Sequence, residues 1–213
     1  MIRVLRHLFF LLVVRPIVLF VLGINLRHRE RLPLAGPAII AANHNSHFDT
    51  LLLMTLFPLG HLDWLRPVAA TDYFLARRSL AWFARNIIGI IPLVRDAHSF
   101  HGDPLAECDA ALGRNAILIL FPEGSRGEPE KLGAFKSGIA HLARRHPTVP
   151  VVPVFLHGLG KVLPKGEILP VPFFVDVFIG ESFLWSGEKT AFMAEFDRRI
   201  HALADEGKFP AWD

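Results

Sequence analysis

Ala116-Ile117-Leu118-Ile119-Leu120-Phe121 is an unbroken apolar run, followed at once by Pro122-Glu123-Gly124-Ser125-Arg126-Gly127. Too short for a typical helix and closed by turn-forming residues, the run predicts a strand buried on both faces, as at the centre of a parallel sheet. Val151-Val152-Pro153-Val154-Phe155 reads the same way. With their flanks these predict strands over residues 115–121 and 149–156. Shorter β-branched runs predict others over 37–43, 66–71, 87–94 and 173–179. Helical patterns fall between them, over 51–57, 73–86 and 104–112. Phe135, Ile139, Leu142 and Ala143 form one apolar stripe that stops at Pro147, and Phe192, Phe196, Ile200 and Leu203 form another that ends at Gly207. This alternation implies an α/β fold: a mixed, mostly parallel central sheet covered by helices.

The composition fits one such domain over residues 31–213 of the 213. Hydrophobic residues make up 52% and charged residues 20%. That is more apolar than a typical soluble domain and favours a membrane contact or a lipid-lined pocket. The net charge of +3 suits anionic headgroups or phosphate-bearing substrates. No dense basic tract with interleaved aromatics is present, so nucleic acid is not expected as a partner. The single cysteine, Cys108, excludes a disulfide framework and a cysteine-rich zinc site.

Residues 8–24 are almost wholly apolar, interrupted by Arg15-Pro16 and Gly23 and flanked by Arg3, Arg6 and His7 before and by Arg27, His28, Arg29 and Arg31 after. Residues 1–30 therefore read as an N-terminal membrane-associated helix or helix pair. The hydrophobicity is enough to span a bilayer despite Arg15. Pro16 removes a helical hydrogen bond near the middle, so two short helices in the interface, with Arg15 reaching to headgroups, fit as well. The basic cluster after the segment puts the rest of the chain on the cytoplasmic face of the membrane.

Three polar clusters follow predicted strands, where function gathers in open α/β sheets. In Asn43-His44-Asn45-Ser46-His47-Phe48-Asp49, His44 and Asp49 are too far round a regular helix to touch. They meet if His44 sits in the turn and Asp49 in the first helical turn. Asp49 then fixes the imidazole and the other ring nitrogen serves as a general base. Two other readings stay open: Asp49 as a simple helix cap, and His47 as the base. A metal site from His44, His47 and Asp49 lacks a clear further ligand.

In the second cluster, Gly124 and Gly127 permit close backbone approach and N–H groups that cradle an anion. Arg126 can clamp phosphate, and Glu123 can fix that Arg or a substrate hydroxyl. Ser125 is not a nucleophile, because the Gly-x-Ser-x-Gly elbow fails at Glu123. Lys136 and Gly138 open a helix whose dipole and cation again favour an anion. In the third cluster, Gly89-Ile90-Ile91-Pro92-Leu93-Val94-Arg95, Arg95 reads as a second phosphate clamp or as a solvated strand end.

Together these clusters resemble the glycerolipid acyltransferase family that contains the 1-acylglycerol-3-phosphate acyltransferases. Its Asn-His-x4-Asp motif stands as Asn43 to Asp49. Its Gly and Arg six residues apart match Gly89 and Arg95. Its Phe-Pro-Glu-Gly-Thr-Arg matches Phe121 to Arg126, with Ser125 for Thr, and its Val-Pro-rich strand matches Val149 to Val154. The order and spacing agree over residues 32–180. The resemblance implies an α/β acyltransferase with a membrane-binding N-terminal element and an acyl-CoA or acyl-carrier-protein donor, with no cofactor and no metal. It implies His44 as base, Asp49 as its partner, and Glu123, Arg126 and Arg95 around the phosphate of a lysophospholipid acceptor. The expected activity is O-acyl transfer to 1-acylglycerol-3-phosphate. The alternatives are another acceptor (a lyso-aminolipid or glycerol phosphate), a non-catalytic phospholipid-binding protein and a metal-dependent lipid phosphatase. Residues 163–174 read either as an acyl channel or as a packed loop.

Overall fold

A computed structural model gives the architecture for residues 1–46, 48–71, 78–94, 102–127, 130–162 and 173–209. Seven strands form one sheet: β1 (Leu22–Arg27), β2 (Ala38–Ala42), β3 (Leu65–Ala70), β4 (Ile91–Leu93), β5 (Ile117–Leu120), β6 (Val151–His157) and β7 (Phe173–Ile179). Their spatial order is β1-β7-β6-β2-β5-β3-β4. All pairings are parallel except that between β6 and β7. The sheet is thus mixed and mostly parallel, as the buried apolar runs require.

Strand alternation sorts the core into two layers. Ala38, Ile40 and Ala42 of β2, with Ile117 and Ile119 of β5, face one cluster. Ile39, Ala41 and Leu118 face the other. The first layer is covered by α1 (Ile2–Phe9), α2 (Arg15–Val21) and α3 (Phe48–Thr55). The second is covered by α5 (Ala106–Leu112), α6 (Gly138–Arg145) and α8 (Lys189–Gly207), while α4 (Arg78–Phe83) and the one-turn α7 (Leu159–Val162) flank the carboxyl ends of the strands. The predicted stripe of α8 is fully inside: Phe192, Phe196 and Ile200 are buried, each contributing about 1.5–3 kcal/mol by removal from water.

The N-terminal segment departs from its sequence reading in three ways. Pro16 does not end the helix; the turn before it widens into a π-helix, Phe10–Val14, in which the Arg15 N–H bonds back to the Phe10 carbonyl. Arg15 does not reach outward: its guanidinium donates to the Phe57 carbonyl at 2.8 Å. The helix stops at Val21, and residues 22–27, read as part of the helical segment, are an edge strand paired with β7 from Leu22↔Phe173 to Arg27↔Phe178. Gly23 and Asn25 are poor helix formers, and β7 offers an unpaired edge that satisfies their backbone. Phe10, Val14, Val18 and Leu22 turn inward, while Leu12, Leu19 and Phe20 stay exposed. None of the described helices is long and apolar enough to cross a membrane.

The predicted strand over 87–94 is also shorter than expected. Residues Ala84–Ile88 complete a helix in a π-turn, and Gly89, with φ of 82°, caps it in the left-handed conformation, so only Ile91–Leu93 remain to pair with β3.

Candidate active site

The segment after β2 places His44 in a turn and Asp49 at the start of α3. The His44 Nδ1–H donates to Asp49 Oδ2 at 2.9 Å. The same oxygen accepts from the backbone N–H of Asn45 at 2.7 Å and of Ser46 at 2.9 Å. Capping and imidazole fixation, rival readings of Asp49 in the sequence, are thus performed by one atom. Asp49 is fully buried. Burial raises its pKa above the ordinary carboxyl value, against the opposing pull of His44 and the two backbone donors. Because the carboxylate accepts at Nδ1, Nε2 is the ring nitrogen left for a substrate. The ring stacks on Phe121, with centroids 4.2 Å apart.

Glu123 stands behind this pair. It is buried, and its Oε1 accepts from the backbone N–H of His44 at 3.0 Å. Burial raises its pKa, while the hydrogen bond from His44 draws it down. From the sequence Glu123 can fix Arg126 or a substrate hydroxyl; in the fold its Oε1 holds the backbone that carries the imidazole. Asn43 brackets Leu156 of β6, donating to its carbonyl at 2.9 Å and accepting from its N–H at 2.7 Å. Asn43 stands in the first polar cluster, but nothing near it in the chain signals this role, since Leu156 lies 113 residues away.

His44 lines a cavity of about 1110 Å³ at the carboxyl ends of β2, β5 and β3. Gly124, Ser125, Arg126, Gly127 and Lys136 share its wall. The strand order puts β5 beside β2, which brings the second cluster to the first. Gly124 has φ of 73°, and a Cβ there would lie 2.9 Å from Lys136 Nζ. Glycine at that position lets the lysine lie across the turn. The Gly124 N–H is committed to the Phe121 carbonyl at 2.9 Å, so it does not serve the predicted anion cradle. The rest of the cavity is largely apolar, including Leu80, Phe83, Ile90, Leu105 and Leu142.

Gly89 lies between Ile88 and Ile90, both of which line this cavity. It precedes β4, and a Cβ there would come within 3 Å of the Arg6 and Arg66 guanidinium groups. Arg6 is buried there and donates to the Leu65 and Ile88 carbonyls; burial, with repulsion from Arg66, lowers its pKa to about 10. Arg95 and His47 lie outside the described residues, as does most of the stretch 163–174. Val94, immediately before Arg95, is on the cavity wall.

At the strand ends of this mostly parallel sheet, a carboxylate-fixed imidazole, Arg126 and Lys136 share the wall of a largely apolar cavity. The sequence model of the Acyltransferase family matches residues 23–157, more than half of the chain, and the chain belongs to that family. The chloroplastic 1-acyl-sn-glycerol-3-phosphate acyltransferase LPAT1 of Arabidopsis thaliana is 33% identical over 145 residues, which are 68% of this chain and 38% of that protein. The 1-acyl-sn-glycerol-3-phosphate acyltransferase of Pseudomonas aeruginosa is 28% identical over 184 residues, 85% of this chain and 67% of that one. The chain therefore spans well under half the length of the plant relative. The crystal structure of the 1-acyl-sn-glycerophosphate acyltransferase PlsC from Thermotoga maritima matches with a TM-score of 0.77 over 97% of this chain and 81% of that one. At 20% identity that likeness is one of fold.

Proposed function

We propose that the chain transfers a fatty acyl group from a thioester donor, acyl-CoA or acyl-carrier protein, to the free hydroxyl of 1-acylglycerol-3-phosphate, giving phosphatidic acid. The observation that carries this is the His44–Asp49 pair, 2.9 Å apart, on the wall of a cavity that also presents Arg126 and Lys136. His44 Nε2 takes the proton of the acceptor hydroxyl as its oxygen attacks the thioester carbonyl. The tetrahedral intermediate collapses to the ester, and the thiolate leaves with that proton. Asp49 holds the tautomer and stabilises the imidazolium, work typically worth about 10²–10⁴ in rate for a positioned base. Arg126 and Lys136 hold the acceptor phosphate, and the apolar walls take acyl chains. Cys108 is buried and its thiol is pushed up to about 12, so no acyl-enzyme on sulfur enters the scheme.

The exposed apolar side chains of the N-terminal segment, Leu12, Leu19 and Phe20 among them, support docking on a bilayer, where the lipid acceptor resides. The chain then works on the cytoplasmic face.

The test is an acyl-transfer assay of the purified full chain against a panel of lysolipids with both donors. Phosphatidic acid should form from 1-acylglycerol-3-phosphate, and His44→Ala should abolish turnover while leaving fold and vesicle binding intact. Full activity in His44→Ala, or no transfer to any lysolipid, overturns the proposal.

A further inference from the structure

Glu130 is an acidic residue in a polar loop, the kind that normally faces water. Here its side chain is only 2% exposed. Its Oε1 accepts from the backbone N–H of Gly160 at 2.8 Å, and its Oε2 from that of Gly158 at 2.8 Å. Oε2 also accepts from Asn45 Nδ2 at 3.4 Å and lies 3.0 Å from His157 Nδ1. A carboxylate stays out of water only when its lone pairs are met by donors. All of these donors lie at the carboxyl ends of strands: Asn45 follows β2, His157 ends β6, and Gly158 and Gly160 follow it. Glu130 itself comes from the loop after β5, and β5, β2 and β6 are neighbours in the sheet. One side chain therefore joins the carboxyl-end loops of three adjacent strands.

The backbone marks the same point. Glu130 has φ of 60°, a left-handed conformation that L side chains rarely adopt and that persists where surrounding bonds over-determine it. Gly158 is also left-handed, with φ of 93°, and a Cβ there would collide with the Phe174 carbonyl. The imidazole of His157 is fixed in turn by stacking on Phe209, with centroids 3.7 Å apart.

We infer that Glu130 is a positioning residue for acyl transfer: it ties Asn45, and through Asn45 the orientation of His44, to the Gly158 and Gly160 backbone. The link to the imidazole is short. The Asn45 side chain meets Glu130 and the Leu156 carbonyl, while its backbone N–H meets the same Asp49 oxygen that holds His44. Asn45 and Gly160 line the cavity. Glu130 does not share that wall, so its effect reaches the reaction through the residues it binds. Gln at 130 keeps the size but places an amide N–H against donors that need an acceptor.

This inference rests on the proposed acyl transfer, so its test has one arm that needs no substrate. In the full chain, Glu130→Gln should lower kcat roughly 10- to 100-fold, as expected of a misplaced base, with KM for acceptor and donor within about twofold of wild type. Glu130→Asp should recover part of the loss. In the substrate-free arm, the ¹⁵N imidazole resonances of His44, identified by their loss in His44→Gln, should shift in Glu130→Gln. Wild-type kcat, a loss that appears equally in KM, or unshifted His44 resonances in a folded Glu130→Gln protein overturns the positioning role. Should Glu130→Gln not fold, Asn45→Ala cuts the same link; the same selective loss of kcat is expected, and wild-type kcat there overturns the role. Shifted resonances in a chain whose wild type transfers no acyl group sink the reaction and leave the positioning standing.

Discussion

Asp49 Oδ2 lies 2.9 Å from His44 Nδ1, and that single oxygen also receives the backbone N–H groups of Asn45 and Ser46. The shape of the turn and the orientation of the base therefore depend on one atom. Asp49→Asn keeps the volume, but if the amide nitrogen faces the imidazole the required tautomer is lost. We expect kcat to fall about 10²–10⁴-fold with the fold retained. Steady-state kinetics beside circular dichroism checks this; activity within a few-fold of wild type contradicts the dyad.

The buried carboxyls set a direction for stability against pH. Asp49 and Glu123 are both raised above their ordinary values of 3.8 and 4.5, chiefly by burial. The folded state thus keeps protons that the unfolded chain has released, and stability falls as pH rises from those ordinary values through the folded ones. Asp49→Asn, which cannot titrate, should show a shallower loss of Tm over that window. A steeper loss in the variant reverses the assignment. On α8 the sign is opposite: the hydrogen bond from Arg198, then that from Arg199, holds Glu195 down to about 2, so its contribution is present above 4.5 and fades as pH falls toward 2.

Lys136 lies across Gly124, and Arg126 shares the same wall. As clamps on an acceptor phosphate they act on binding more than on chemistry. Arg126→Ala and Lys136→Ala should each raise acceptor KM roughly tenfold or more, with a smaller effect on kcat and none on donor KM. An acceptor KM unchanged in either variant removes that residue from the phosphate site.

Leu12 and Phe20 are exposed on the N-terminal helices, so charging them costs the fold little, about 0.5 kcal/mol or less. The Leu12→Glu/Phe20→Glu double variant should lose most of its flotation with vesicles of mixed neutral and anionic lipid, while its Tm stays close to wild type. Undiminished flotation would show that another surface makes the contact.

The strands at the centre of the sheet were legible in the chain because their information is local. Continuous apolar runs such as 116–121 and 151–155 have no stable alternative to burial on both faces, and the stripe from Phe192 to Leu203 has the helical period. His44, Asp49 and Arg126 were legible because their chemistry lies within short motifs. Other features were not. Leu22–Arg27 looks like the tail of an apolar helix until β7 offers it an edge, and Arg15 looks like a headgroup anchor until the Phe57 carbonyl captures it. Gly89 matched a motif with Arg95, and only the fold shows that it packs on Arg6 and Arg66.

What the sequence determined by itself is the alternation of buried strands and amphipathic helices and the kinds of side chain at the strand ends, since hydrophobic period and local polar spacing are properties of neighbouring residues. Only the tertiary structure decided that Glu123 grips the His44 backbone, that Lys136 covers Gly124, and that Glu130 is drawn out of water to join three loops. His44 lies 79 residues from Glu123, and Gly158 and Gly160 lie 28 and 30 residues from Glu130. They meet because β6, β2 and β5 are neighbours in the sheet, an order no local pattern encodes.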